Sequence, residues 1–313
     1  MKEKLIVSSS PHLHSPNSTR RVMLDVLIAL TPAVVAATVI FGFQALLLVT
    51  FCAICSVAFE FLSRLIMRRR QTIGDLSAVV TGVLLGLALP VSMAEHLHLT
   101  LVGSFTAIVV VKQMFGGLGN NFVNPALTGR IVMMVSFPSQ MTDWRFLANP
   151  LDAVTGATPL GGGEKAEGME LLLGTHGGCV GETCAAALLL GFVYLLVRRV
   201  IKPIIPLCFV GTVGMISFIA SFSMPQISVL EQVLGGGLLL GAIFMATDYV
   251  TSPITNWGKV IYAVGCGVIT SLIRLFASLP EGVSYAILLM NITVPLIERF
   301  TVSKCFGKAG GKA

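Results

Sequence analysis

An all-α, polytopic membrane fold is predicted for this chain by three observations. Of its 313 residues 55% are hydrophobic and only 12% are charged, about half the charged share of an ordinary soluble domain. The apolar residues gather into runs near the twenty or so that a helix needs to cross a hydrocarbon core. The basic residues stand in short clusters beside those runs, which is how topology is set in a bilayer. The formal charge of +6 is therefore read as topogenic, and no nucleic-acid partner is expected.

Ten candidate spans follow from the apolar runs. They are Leu24–Phe41, Ala45–Ile66, Leu76–Val91, Leu97–Met114, Ala126–Pro138, Thr183–Val200, Pro203–Phe222, Val229–Ala246, Trp257–Ala277 and Val283–Phe300. The fifth is the shortest and has polar flanks. Pro90, Pro138, Pro203 and Pro295 fall at or near span ends, where a missing N–H costs least.

With the N-terminus inside, most basic residues fall on the cytoplasmic side. These include Arg20, Arg21, Arg64, Arg68–Arg70, Lys112, Arg198, Arg199, Lys202, Lys259, Arg299 and the lysines of both tails. Arg145, Lys165 and Arg274 fall outside, and Arg130 is placed at a span entrance. That asymmetry predicts an even span count with both termini cytoplasmic.

The expected organisation is a cytoplasmic segment (1–22), a first five-helix repeat (23–138), an external loop (139–182), a second five-helix repeat (183–300) and a cytoplasmic tail (301–313). Gly82-Val83-Leu84-Leu85-Gly86 echoes Gly237-Leu238-Leu239-Leu240-Gly241. With five spans per half, that echo relates helices of opposite direction, the arrangement of inverted-repeat transporter folds with sites near the midplane.

The seven cysteines lie mostly in apolar sequence and none has iron–sulfur spacing. Cys52 and Cys55 are read as small packing residues, although they form a C-x-x-C. Cys179 and Cys184 are close enough in sequence to meet, with a disulfide the less favoured reading. The five histidines show no metal-ligand spacing. Asp25, Glu60 and Asp75 lie near span ends and are read as interfacial acids.

Three segments carry candidate chemistry. Asp152-Ala153-Val154-Thr155-Gly156-Ala157-Thr158-Pro159 reads locally as a turn, with a capping aspartate, a permissive glycine and a helix-blocking proline. Lys112 to Ala126 (KQMFGGLGNNFVNPA) is dense in glycine and asparagine between two apolar runs. Such broken backbone is tolerated in a membrane only where protein buries it or it lines a cavity, and carboxamides both donate and accept hydrogen bonds. In Phe244 to Pro253 (FMATDYVTSP), Asp248 ends an apolar run, and an acid at the membrane boundary is a functional candidate by default.

The first segment matches D-x-x-[S/T]-G-A-T, and the whole chain resembles the D subunit of Rnf ion-translocating electron-transport complexes. More distantly it resembles the B subunit of the sodium-pumping NADH:quinone reductase. The resemblance implies flavin mononucleotide esterified to Thr158, with Asp152, Thr155, Gly156 and Ala157 completing the flavinylation motif. A threonine hydroxyl needs external activation, so a dedicated flavin transferase is implied as well.

It implies further that Asn121, Asn124 and Asp248 line a second, non-covalent riboflavin site. Tyr249 departs from the family pattern, in which many members carry proline. The implied activity is electron relay between ferredoxin and NAD, coupled to sodium or proton movement, as part of an oxidoreductase complex and not as a complete enzyme. Implied partners are a second covalent flavoprotein, iron–sulfur membrane subunits and soluble subunits handling ferredoxin and NAD, in a bacterial cytoplasmic (inner) membrane. The rival readings are a flavin-free secondary transporter or channel, for which the inverted repeat alone would suffice, and a scaffold whose loop only docks partners.

Overall fold

Five of the apolar runs form helices long and apolar enough to cross a membrane: α1 (Thr19–Phe41), α2 (Phe43–Ile66), α9 (Ile204–Ser223), α12 (Asn256–Phe276) and α13 (Gly282–Thr301). The structure is a computed structural model and describes residues 18–149, 152–155, 168–174, 177–224, 227–277 and 282–302. Shorter apolar helices join them: α3 (Ser77–Leu87), α4 (Leu97–Phe105) continued by a π-helical stretch (Thr106–Gln113), and α8 (Ala185–Val197). Short pieces complete the bundle: α5 (Pro125–Ser136), α6 (Pro138–Met141), α7 (Gly168–Leu173), α10 (Val229–Leu234) and α11 (Leu238–Leu240), which runs into a second π-helical stretch, Gly241–Met245.

Three expected spans are shorter or more broken than their hydropathy suggested. The third ends as helix at Leu87, before Pro90, and resumes only as a 3-10 turn over Val91–Ala94. The fifth is the 12-residue α5. The eighth divides at Gly235–Gly237, where Gly236 and Gly237 take φ of 62° and 69°. The Arg274 guanidinium caps that break, donating to the carbonyls of Gln232 (2.6 Å), Gly236 (2.9 Å) and Gly235 (3.3 Å), which would otherwise be orphaned at a helix end.

The glycine echo is therefore one of sequence and not of conformation. Gly82 and Gly86 lie inside regular α3 and let it press on α2. A Cβ at Gly82 would sit 2.6 Å from the Ala53 Cα, and one at Gly86 2.8 Å from the Val49 Cα. Gly237 is instead the left-handed residue that opens α11.

Packing pairs α2 with α3, α4 with α5, α9 with α12 and α12 with α13, while α1 against α8 ties the front of the chain to its second half. Outward-facing positions stay apolar: Val39, Ile66, Phe222 and Phe300 are each 75–80% exposed. A continuous apolar exterior of this kind suits lipid and not water. The segment 178–183 turns inward, and the N–H groups of Val180 and Gly181 donate to the carbonyls of Leu89 (3.0 Å) and Leu87 (2.7 Å) beyond the end of α3.

Among the described residues the chain is helical apart from one hairpin. Strands β1 (Arg145–Asn149) and β2 (Asp152–Thr155) pair antiparallel, with Arg145 opposite Thr155 and Phe146 opposite Val154. The fold class is all-α as expected, and the hairpin amends only the reading of Asp152–Thr155 as a turn: β-branched Val154 and Thr155 prefer extended backbone once a partner strand is at hand. Gly156, Ala157 and Thr158 lie outside the described residues. None of the six described cysteines is in a disulfide, so Cys179 and Cys184 are not bridged. Among the described residues no histidine, cysteine and acid cluster suits a metal ion.

Candidate cofactor-binding site

The glycine–asparagine segment runs from the end of the π-helical stretch to the start of α5. Gly116, Gly117 and Gly119 all take positive φ (121°, 98° and 92°), and a Cβ at Gly117 would lie 2.4 Å from Arg64 Nη2. Only glycine fits there. The turn delivers Asn124 as the N-cap of α5, its Oδ1 accepting from the N–H groups of Ala126 (3.0 Å) and Leu127 (3.3 Å), with Pro125 at the first helical position. Both choices are what a helix start favours.

The same carboxamide joins the two halves of the chain. Asn124 Nδ2 donates to the Met245 carbonyl at 3.0 Å, at the end of the second π-helical stretch. Asn291 on α13 lies beside it. Its carboxamide satisfies most neighbours with the oxygen toward the Asn124 N–H (3.1 Å) and the nitrogen toward the Tyr262 hydroxyl (2.7 Å) and the Thr251 carbonyl (3.2 Å).

Lys112, expected among the basic residues of the cytoplasmic side, is buried, 2% exposed. It lies in the last turn of the π-helical stretch. Its ammonium donates to Glu60 Oε2 (3.0 Å) and to Ser77 Oγ (2.6 Å). Glu60, expected at an interface, is fully buried and also accepts from Thr72 Oγ1 at 2.8 Å. The Ser77 hydroxyl donates its own proton to Asp75 Oδ1 at 2.6 Å. Asp25 is likewise buried, held by Tyr194 Oη (3.0 Å) and Arg198 Nε (3.3 Å).

Asp248 stands just beyond the second π-helical stretch. Burial raises its carboxyl above the ordinary range, opposed by hydrogen bonds from the Val250 N–H, the Thr251 hydroxyl, the Asn121 carboxamide and the Tyr249 N–H. Thr251 Oγ1 lies 3.2 Å from Asp248 Oδ2, and Asn121 Nδ2 also donates to the Val123 carbonyl at 3.2 Å.

These groups line one small cavity of about 70 Å³. Asn121, Asn124, Asp248, Lys112 and Ser77 form its polar part; Val80, Leu84, Leu118 and Phe244 form its apolar walls. The cavity thus brings Asn121, Asn124 and Asp248 together. Asp152 and Thr155 lie on β2. Lys112, Ser77 and Asn291 were not singled out from sequence. The one signal for the first was an isolated lysine and an isolated glutamate in separate apolar runs, an arrangement that tends to end in pairing.

A second buried ion pair lies elsewhere in the bundle. Arg130, expected at a span entrance, sits within α5 and is 4% exposed. Its Nη2 lies 3.1 Å from Glu182 Oε1 and 3.0 Å from Cys179 Sγ.

Residues 6–307 match the model of the NQR2, RnfD, RnfE family. The chain belongs to that family. Its similarity to family members is of full length. It is 45% identical over 312 residues to the D subunit of the Na(+)-translocating ferredoxin:NAD(+) oxidoreductase complex of Acetobacterium woodii, covering 97% of this chain and 95% of that one. It is 41% identical to the D subunit of the proton-translocating ferredoxin:NAD(+) oxidoreductase complex of Clostridium ljungdahlii, covering 98% and 97%. It is 36% identical to the D subunit of the ion-translocating oxidoreductase complex of Stutzerimonas stutzeri, covering 95% and 94%. The first two relatives are named for different ions, so likeness within this family does not select sodium or protons.

Proposed function

We propose that this chain is the D subunit of an Rnf-type complex of the bacterial cytoplasmic membrane, carrying flavin mononucleotide on Thr158 and a second, non-covalent flavin in the cavity beside Asp248. The observation that carries the reading is the complete Asp152–Thr158 motif in a chain of full-length family likeness. Ten crossings with both termini cytoplasmic remain the reading of topology, supported by the basic clusters and by the apolar exterior. The rest of the assembly comprises the second flavoprotein, the iron–sulfur subunits and the soluble ferredoxin- and NAD-handling subunits.

The lining of the cavity pairs apolar walls with one polar edge, the character a planar ring needs, and the walls must part to admit it. Val80, Leu84 and Phe244 offer flat apolar walls, while Asn121, Lys112 and Asp248 present donors and an acceptor on one side. Asn124 is committed to capping α5 and to the Met245 carbonyl, so it shapes the cavity and leaves polar contacts to Asn121 and Asp248. A bound flavin supplies one- and two-electron redox chemistry there. The chain's own part is to exclude water, to fix the ring against Phe244 and to hold a proton at the Asp248 carboxyl.

The test is ultraviolet in-gel fluorescence of the denatured chain, co-expressed with its flavin transferase, beside Thr158→Ala. A fluorescent wild-type band that is lost in the variant supports covalent flavin at Thr158. A dark wild-type band sinks the reading and favours the flavin-free transporter. Acid extraction of the purified Thr158→Ala chain then reports the second flavin, since only non-covalent flavin is released.

A further inference from the structure

A second cavity lies at the basic end of the bundle, and nothing in the electron-transfer reading uses it. It is a cleft of about 200 Å³ between the α8–α9 turn, the first turn of α12 and the segment after the second π-helical stretch. Arg199, Lys202 and Lys259 face it, beside Thr247, Tyr249 and Ser252.

The three cations lack acidic partners among the described residues. The nearby aspartate, Asp25, is engaged by Arg198 instead, at 3.3 Å. Lys202 Nζ reaches only the neutral Asn256 Oδ1, at 3.1 Å, and it lies near enough to Lys259 for the two charges to repel. The positive end of α12, a 21-residue helix, adds to the field.

The backbone holds one of these cations at a cost. Arg199 takes φ of 56° at the end of α8. Its N–H donates to the Leu196 carbonyl (3.0 Å) and the Val200 N–H to the Leu195 carbonyl (2.9 Å). This is a Schellman termination, in which glycine is the usual left-handed residue. Arg68 closes α2 in the same way, with φ of 53°, so the termination serves here to set Arg199 at the edge of the cleft.

The surroundings place the cleft at a bilayer boundary. Trp257 and Ile254 are 75% and 79% exposed immediately beside Lys259, and Val197 is 75% exposed beside Arg199. An exposed tryptophan among basic residues at the end of apolar helices is the side-chain pattern of a lipid headgroup zone.

We infer that this cleft binds the phosphodiester of an anionic membrane lipid, with Arg199, Lys202 and Lys259 gripping the phosphoryl oxygens. Arginine supplies a planar fork for two oxygens and the lysines act as point charges. Tyr249 and Ser252 belong both to this wall and to that of a neighbouring cleft, and Tyr249 directly follows Asp248. Lipid in the cleft therefore presses on the segment that bears the cofactor-pocket acid.

The experiment uses the full chain in the assembly in which it is expressed, stripped of lipid and offered phosphatidylglycerol and phosphatidylcholine together, with retained lipid read by native mass spectrometry. Wild type is expected to retain phosphatidylglycerol preferentially, and Lys202→Gln with Lys259→Gln to retain about tenfold less of it. Arg199→Gly is the control for folding, because glycine suits the left-handed position: its melting temperature should not fall, while phosphatidylglycerol retention does. If the variants lose only binding of millimolar inorganic phosphate, with no lipid preference in wild type, the phosphoryl site stands and its ligand is free phosphate. Equal retention by wild type and variants of both probes overturns the proposal. So does a carbodiimide crosslink from Lys259 to a carboxylate of another subunit in native membranes, which would show an acidic protein segment in the cleft.

Discussion

The Lys112 ammonium and the Glu60 carboxylate meet 3.0 Å apart, 52 positions distant in sequence, with neither side chain more than 2% exposed. Removing Glu60 strands the buried ammonium, while removing Lys112 leaves Glu60 with only the longer contact to Arg64 Nε at 3.9 Å and the Thr72 hydroxyl; breaking such a buried pair costs about 3 kcal/mol or more. Lys112→Met alone is therefore expected to lower the melting temperature markedly. Combining it with Glu60→Met should restore most of the loss, because neither charge is then stranded. Thermal unfolding of the single and double variants measures the difference, and additive losses would contradict the coupling.

Asn124 is predicted to be structural. Asn124→Ala removes an N-cap and strips the buried Met245 carbonyl of its donor, together worth about 2 kcal/mol. Asn124→Asp keeps the cap acceptor and loses only the donor, so it should fall between wild type and alanine in denaturation. If aspartate matches alanine, the cap contributes nothing.

Asp248 sets a pH dependence. Burial raises its carboxyl in the folded chain, so the folded state holds this proton to a higher pH than the unfolded chain does. Its contribution to stability is full at low pH and is lost as pH rises from about 4 through the folded-state value. Asp248→Asn should flatten that part of the melting-temperature profile. An unchanged slope in the variant would assign the dependence to other groups.

Gly237 and Gly74 form a contrasting pair. Gly237 has φ of 69°, and a Cβ there would lie 2.3 Å from Glu182 Oε1. Gly237→Ala is expected to cost at least about 1 kcal/mol from the backbone alone, and more if it disturbs the Arg130–Glu182 pair. Gly74 meets nothing within 4 Å, so Gly74→Ala should stay within about 0.5 kcal/mol of wild type. Parallel melts of the two variants check both values.

Much of the architecture was legible as hydropathy. The expected spans Leu24–Phe41 and Ala45–Ile66 fall within α1 and α2, and Pro203–Phe222, Trp257–Ala277 and Val283–Phe300 agree with α9, α12 and α13 to within a residue or two. The broken spans were not legible. Gly235–Gly237 reads as part of an apolar run, and only the Arg274 guanidinium arriving from α12 makes a helix break there tolerable. Nor was the strand at Asp152–Thr155 foreseeable from a local pattern of turn formers, since its partner Arg145–Asn149 supplies the hydrogen bonds.

What the sequence by itself determined is the solvent and the kinship of this chain. Apolar runs commit it to lipid because each buried residue contributes regardless of its neighbour, and the Asp152–Thr158 motif with its full-length pattern is a linear signature. What only the tertiary structure decided is which polar residues meet. Lys112 read as a topology signal and Glu60 as an interfacial acid. A charge in an apolar interior is tolerated only beside its partner, and that partner is chosen by the packing of α2, α3 and the π-helical stretch, which no local spacing encodes.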